Sequence, residues 1–146
     1  NTRDISNNLM PRMIHDYGLV TALEAFCKKI NHTNKIEISI DSKNMFEPLE
    51  KSIQLILFRV ISELINNTIR HAGASRADIF LEKKGNRIHL RYGDDGKGFD
   101  AGNLMDDKRS GMGLKNIVSR VKSINGTCQI TSEPGKGSIF DIEIEL

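Results

Sequence analysis

The stretch Leu49–Ala72, LEKSIQLILFRVISELINNTIRHA, decides the fold because its pattern predicts one long amphipathic helix. Its apolar residues recur at helical spacing and form a single stripe, which comprises Ile53, Leu57, Val60 and Leu64. Pro48 suits the first turn, and Gly73, just past the end, suits a left-handed cap. The apolar stripe is therefore expected to face the core.

A row of polar side chains follows one flank of this stripe. Successive residues of a helix are rotated by about 100°, so Glu63, Asn67 and Arg70 are expected on the same side of it. Asn66 is expected to point farther toward solvent. A carboxylate, a carboxamide and a cation are costly to half-bury without a polar ligand. By itself the row also fits a solvated helix edge, which is the more common arrangement. The glycine segments downstream favour a ligand.

Length and composition indicate one globular domain. A chain of 146 residues can bury roughly 68–70% of its unfolded surface, so no disulfide or metal is required for stability. The net charge of +2, without basic and aromatic residues in alternation, does not suggest a nucleic-acid surface. Cys27 and Cys128 lack metal spacing and are expected to be buried free thiols in a reducing compartment.

Neither a bilayer-spanning apolar run nor a signal peptide is visible in the sequence. Because the chain begins at Asn1 rather than at a methionine, we expect it to be an excised piece of a larger protein.

The rest of the chain predicts helices grouped against a largely antiparallel sheet. We expect further helices at Gly18–Lys29 and from about Gly113 to Ile124, and five strands: Ile36–Ile40, Ala77–Lys83, Arg87–Tyr92, Thr127–Ser132 and Ser138–Glu145. The second and third strands alternate around Lys84-Gly85-Asn86, which indicates a hairpin. The predicted class is an α+β two-layer sandwich, with a mixed, mostly antiparallel sheet packed on about three helices.

Two glycine segments stand where a ligand can approach the backbone. Asp94–Phe99, DDGKGF, follows a predicted strand, and Gly96 and Gly98 permit close approach. Its adjacent carboxylates do not suit a calcium loop, and its glycine spacing does not suit a dinucleotide fingerprint. Gly111-Met112-Gly113-Leu114 opens a helix, where exposed amides favour anionic oxygens. Taken singly, each segment also fits an ordinary turn or helix entry.

Together and in this order, the segments resemble the ATP-binding domain of sensor histidine kinases, in the GHKL ATPase superfamily. Glu63–Ala72 resembles the N box of that family, Asp94–Phe99 its first glycine box and Gly111–Ile117 (GMGLKNI) its second. The closing EPGKGSIFDIEIEL resembles the final glycine turn and strand, with Ser138 where threonine is usual. The proline that usually ends the last strand is missing, and a separate phenylalanine box is not obvious.

The front of the chain narrows the resemblance to the nitrate-sensor-like kinases, through LMPRMIHDYGLVTAL and through HAGAS after the N box. Residues 1–17 are then expected to be the end of a dimerisation helix and a linker, and residues 18–146 the ATP-binding catalytic domain. His15-Asp16 mimics a phosphoacceptor pair, but the chain before the N box is too short for the two-helix hairpin that carries one. We therefore expect the phosphoacceptor to lie upstream of Asn1.

The resemblance implies a role for each matched residue. Asn67 is the expected Mg²⁺ ligand, and Glu63 orients a metal-bound water or polarises the reacting region. Arg70 meets phosphate oxygens and His71 does so more weakly, although the helix dipole explains His71 equally well. Asp94 accepts a hydrogen bond from the adenine amino group, which gives selectivity against guanine.

The remaining expected contacts with the nucleotide lie in the glycine segments and the last strand: Gly96, Gly98, Ser110, Gly111, Met112, Gly113, Leu114 and Ser138. Asp95 is expected to serve the turn. Asp100–Ser110 would be a mobile lid over the triphosphate, with Gly111 and Gly113 as its hinge.

The function implied by the resemblance is binding of Mg-ATP and transfer of its γ-phosphate to a histidine on a dimerisation domain outside this chain, for relay to a response regulator. The expected partners are that domain of the same kinase, the regulator, and a second subunit joined through the upstream helices. Nucleic acid and direct membrane contact are not expected, and the expected location is the cytoplasm.

Two other function classes share these motifs. A GHKL serine kinase acting as an anti-sigma factor should start near its own methionine, without the junction segment. An ATP-binding regulatory module without transfer activity should show a damaged N box, whereas Glu63 and Asn67 are intact here.

Overall fold

The computed structural model describes residues 12–33, 35–45, 49–98 and 111–146. Helical residues 12–17 precede three longer helices, which are α1 (Leu19–Asn31), α2 (Lys51–Asn67) and α3 (Gly111–Ser123). A π-helical turn, Thr68–Ala72, continues α2. The strands are β1 (Glu37–Lys43), β2 (Arg76–Lys84), β3 (Arg87–Asp94), β4 (Gly126–Ser132) and β5 (Ser138–Glu145). The kinds of element and their order are those predicted from the sequence.

The five strands form one sheet in the order β1-β2-β3-β5-β4. Strand β1 runs parallel to β2, and every other neighbouring pair is antiparallel. Lys84 pairs with Arg87, so Gly85 and Asn86 alone form the hairpin turn. The predicted α+β class with a mixed, mostly antiparallel sheet is confirmed.

The core lies between the sheet and the helices, because alternate residues of each central strand face inward. On β3 these inward residues are Ile88, Leu90 and Tyr92, all fully buried. The predicted stripe of α2 supplies the helical side, with Leu57, Val60 and Leu64 buried. Burying one such side chain contributes about 1.5–3 kcal/mol, so this apolar sandwich is the main source of stability.

The C-terminal end of α2 differs from the sequence prediction in one respect. The helix does not remain α-helical to Ala72 but widens into the π turn after Asn67. Gly73 closes that turn with φ 59°, which confirms the left-handed cap. Pro48, expected in the first turn, lies outside the described residues.

Helix α3 begins at Gly111, two residues before the predicted start. Of the two cysteines, both free, Cys27 is buried as predicted but Cys128 is only half-buried. Burial raises the pKa of each thiol to about 11, so both are protonated at neutral pH.

The helical residues 12–17 are attached to the rest of the domain through Ile14. Its side chain is buried in the common core, and its carbonyl accepts a hydrogen bond from the Gly18 amide at 2.9 Å. The boundary proposed between residues 1–17 and 18–146 stays a prediction. Across the described ranges, no helix combines the length and the apolar character needed to cross a bilayer.

Candidate functional site

The end of α2 and the end of β3 meet at a buried threonine. Thr68, the first residue of the π turn, lies with its hydroxyl oxygen 2.7 Å from the Tyr92 hydroxyl and 3.3 Å from Asp94 Oδ2. The same oxygen lies 3.0 Å from the Leu64 carbonyl one turn earlier. The tertiary structure thus joins the N-box segment to the first glycine segment.

The Asp94 carboxylate is half-buried and is held from two sides. Its Oδ1 accepts the Gly96 backbone N–H at 2.9 Å, and Thr68 approaches Oδ2. Burial raises the pKa of Asp94, and the hydrogen bonds from Gly96 and Thr68 act in the opposite direction. The site therefore presents an oriented hydrogen-bond acceptor in a partly dry environment.

Its neighbour Asp95 has a different task. Its exposed carboxylate accepts the backbone amides of Ser75 and Arg76 and the Ser75 hydroxyl, each at 2.9 Å. These bonds, with that from the Arg76 amide the strongest cause, hold the pKa of Asp95 below its ordinary value of 3.8. Asp95 fastens the glycine loop to the start of β2, as expected for a residue that serves the turn.

The turn between β4 and β5 supports the glycine loop from the other side. The Gly135 amide donates to the Lys97 carbonyl. At Gly98, φ is 65° and an added Cβ would overlap the Glu133 carbonyl oxygen. The neighbouring turn therefore requires glycine at this position. The sequence had suggested a different reason, which was close approach of a ligand to the backbone.

Ser138 reaches the site through strand pairing. It pairs with Asp94 in the β3–β5 register and is buried. Its hydroxyl lies 3.0 Å from that of Ser132, which also donates to the Gly137 carbonyl at 2.9 Å. The residue predicted from the last strand is thus adjacent to the acidic residue predicted from the first glycine segment.

The polar flank of α2 is only partly as the sequence suggested. Glu63 and Asn67 are half-buried and Arg70 is exposed. A π turn has more residues per turn than an α-helix. The alignment of Arg70 with Glu63 and Asn67, calculated at about 100° per residue, therefore does not hold beyond Asn67. Asn66 is half-buried like Asn67, so accessibility does not distinguish the two amides as the helical phase did.

The second glycine segment opens helix α3 as predicted, with Gly111-Met112-Gly113 in the first turn. The Leu114 side chain, a predicted nucleotide contact, is buried in the hydrophobic core. Ser110, the proposed lid Asp100–Ser110 and the His71 side chain lie outside the described parts of the structure. The structure therefore brings together Asp94, Gly96, Gly98 and Ser138 from the predicted set.

Sequence reasoning missed Thr68 and Tyr92. One signal was available, because Tyr92 occupies an inward position on β3 and a buried phenol hydroxyl needs a partner. The identity of that partner was not accessible from local patterns, since Thr68 is 24 residues away.

Comparison with known families decides the identity of this domain. The profile of the family described as "Histidine kinase-, DNA gyrase B-, and HSP90-like ATPase" matches residues 52–146, which include every site element described above. The chain belongs to this ATPase family. As an ATPase domain it binds ATP, in agreement with the three boxes predicted from the sequence.

Relatives of this ATPase domain are sensor histidine kinases. It is 35% identical over 145 residues to sensor histidine kinase ComP of Bacillus subtilis (strain 168), covering 99% of this chain and 19% of ComP. It is 36% identical over 130 residues to sensor histidine kinase MctS of Rhizobium johnstonii, covering 89% of this chain and 28% of MctS. The chain thus spans less than a third of either relative and corresponds to the ATP-binding catalytic domain of a sensor histidine kinase.

Solved structures show the same fold at low sequence identity. The ATPase domain superimposes on the blue-light activated histidine kinase of Erythrobacter litoralis EL346 with a TM-score of 0.76 at 18% identity, covering 99% of this chain and 48% of that one. Histidine kinase AdeS of Acinetobacter baumannii gives a TM-score of 0.67 at 18% identity, covering 97% and 76%. The serine-kinase alternative is not favoured by the sequence relatives, which are sensor histidine kinases.

Proposed function

We propose that this ATPase domain binds Mg-ATP and supplies its γ-phosphate to a histidine on a dimerisation domain of the same kinase, for relay to a response regulator. The observation that supports this most directly is the half-buried Asp94 carboxylate, held by Gly96 and approached by Thr68 at the junction of two family motifs. A carboxylate in this setting accepts the adenine amino group and rejects a guanine carbonyl.

The residues near the end of α2 suit magnesium. Asn67 offers an amide oxygen and Glu63 a carboxylate one helical turn earlier, and both are half-buried. Magnesium prefers oxygen donors and usually keeps waters and phosphates around only one or two protein groups. Bound magnesium would neutralise phosphate charge.

The protein's own contribution to transfer is positioning. Asp94 would orient the base, Arg70 and His71 would meet phosphate oxygens, and the glycine-rich start of α3 would offer backbone amides. Gly96, Gly98, Ser110 and Ser138 would complete the contacts with nucleotide, and Asp100–Ser110 would close over it. Because the acceptor histidine is placed on another domain, a homodimer formed through upstream helices would bring the two together. The location that suits this proposal is the cytoplasm, where ATP is available.

Calorimetric titration with ADP and GDP, each with and without Mg²⁺, tests the proposal. We expect ADP to bind and GDP to bind at least tenfold more weakly. Asp94→Asn should weaken ADP binding by about ten- to a hundredfold, because the NH2 of the new carboxamide then faces the adenine amino group, which is also a donor. Asp78→Asn is the matched control, because Asp78 is exposed on β2 and bonds to Ser39 and Arg76, outside the site. Equal affinity of the wild type for the two nucleotides would exclude the role of Asp94.

A further inference from the structure

We propose that Thr68 and Tyr92 form a positioning pair that sets the Asp94 carboxylate for recognition of the adenine amino group. The inference rests on the proposed role of Asp94 and assigns to two further residues a part in base selectivity. Neither residue is expected to touch the nucleotide. They act through the carboxylate.

Burial shows that the pair is part of the interior rather than a surface contact. Thr68 is 3% exposed and Tyr92 is 0% exposed. A hydroxyl at such a position costs about 1–3 kcal/mol if it is left without a partner. Both hydroxyls are satisfied by each other at 2.7 Å, and within the described chain no buried side-chain polar atom lacks a partner.

The available acceptors define the direction of the hydrogen bonds. Thr68 has one proton, and its oxygen also faces the Leu64 carbonyl and Asp94 Oδ2, which only accept. Among the described residues, Thr68 is the hydrogen-bond partner of the Tyr92 hydroxyl. Tyr92 therefore donates to Thr68, and Thr68 is left free to donate to Leu64 or to Asp94.

This arrangement gives Thr68 a choice of two acceptors. The distance to the Leu64 carbonyl is 3.0 Å and the distance to Asp94 Oδ2 is 3.3 Å. Donation from Tyr92 polarises the threonine hydroxyl and makes it a better donor, because hydrogen bonds in a chain strengthen one another. A small approach of Asp94 toward the π turn would move the proton of Thr68 from the carbonyl to the carboxylate.

When Thr68 donates to Asp94, donors on both oxygens fix the plane of the carboxylate. Gly96 holds Oδ1 from the loop and Thr68 faces Oδ2 from the helix, so the remaining lone pairs are oriented toward an incoming amino group. Loss of Thr68 would leave Oδ2 without its donor and free the carboxylate to rotate. The expected consequence is a loss of affinity that depends on the 6-amino group.

The experiment compares ADP with purine riboside diphosphate, which carries the same phosphates but no 6-amino group. Thr68→Val removes the hydroxyl with little change of shape, Tyr92→Phe removes the first donor, and Thr68→Ser retains the hydroxyl. We expect Thr68→Val to weaken ADP about tenfold and purine riboside diphosphate less than twofold. Tyr92→Phe should weaken ADP about two- to threefold, and Thr68→Ser should restore selectivity.

Folding is controlled by a double variant. Thr68→Val alone leaves the Tyr92 hydroxyl buried without a partner, whereas Thr68→Val with Tyr92→Phe replaces both partners by apolar groups and should fold nearly as well as the wild type. The double variant should still lose the preference for ADP. An equal loss for both ligands, or unchanged ADP affinity in the double variant, would overturn the positioning role. A wild type that does not distinguish the two ligands would instead overturn the role of Asp94.

Discussion

Gly137 lies against the backbone of Asp94 so closely that a Cβ atom on Gly137 would overlap the Asp94 carbonyl oxygen. The two residues come from different hairpins, 43 positions apart in the sequence. The β4–β5 turn therefore supports the residue that is expected to recognise the base. A change in that turn should affect nucleotide binding although it lies outside the N box and the first two glycine boxes.

Gly137→Ala should destabilise the domain and weaken ADP binding together. Gly137 has φ 77°, so alanine adds conformational strain of about 1–2 kcal/mol and overlap with fixed backbone of about 1–3 kcal/mol. Gly85→Ala is the matched control, because Gly85 has φ 57° in the distant hairpin turn and open space around its Cβ position. Gly85→Ala should be destabilised only by the conformational strain, because nothing overlaps the added Cβ atom. Urea unfolding and calorimetry measure both effects, and equal ADP affinity in the two variants would contradict the supporting role of the turn.

Asn67→Ala should reduce Mg²⁺-dependent phosphotransfer by about a hundredfold or more, because one electrostatic contact to the metal and phosphates is lost. Asn66→Ala should be nearly silent despite similar burial, since its helical phase differs by about 100°. Labelled phosphate on an added dimerisation fragment measures transfer, and thermal unfolding checks that both variants fold. If Asn66→Ala is the damaging change, the side of α2 assigned to the metal is wrong.

Asp94→Asn and Asp95→Asn should change stability in opposite directions. The pKa of Asp95 is lowered on folding, so its contribution is fully present at neutral pH and is lost as the pH falls below 3.8. The pKa of Asp94 is raised by burial, so its ionised form destabilises the fold at neutral pH, and that penalty is relieved on acidification. Asp95→Asn should therefore unfold at lower urea than the wild type at pH 7, and Asp94→Asn at higher urea.

The comparison is decided by the pH dependence of the urea midpoints. Asp95→Asn should lose part of the stability decrease that the wild type shows below pH 3.8. Asp94→Asn should instead lose the gain in stability that relief of the Asp94 penalty gives the wild type as the pH falls from neutral toward 3.8. Parallel curves for the wild type and both variants would show that neither carboxylate changes its pKa on folding.

His15 should not be phosphorylated by this domain. Its ring is exposed and lies 3.1 Å from Asp16, and the adjacent Ile14 is held in the core of the same domain. Such attachment holds the imidazole away from an in-line position at the γ-phosphate. Incubation with radiolabelled ATP should leave the chain unlabelled and should label a separate dimerisation fragment of the parent kinase. Acid-labile label that disappears in His15→Gln would make the chain a self-contained kinase.

The sequence by itself determined the elements and their family. The stripe at Leu57, Val60 and Leu64 predicted α2, and the alternation on both sides of Gly85 predicted the β2–β3 hairpin. These features are local, because periods of 3.6 and 2 residues follow directly from backbone geometry. The three family boxes were recognisable for the same reason, since each is a short contiguous segment.

Only the tertiary structure decided how these segments support one another. The contact of Thr68 with Tyr92, the overlap that forbids a side chain at Gly137, and the parallel pairing of β1 with β2 all join distant parts of the chain. The π turn at Thr68–Ala72 was also not predicted by the helical spacing of the apolar residues. Periodicity states which face of an element is buried but not which residue of another element it meets, because that is decided when the whole core packs.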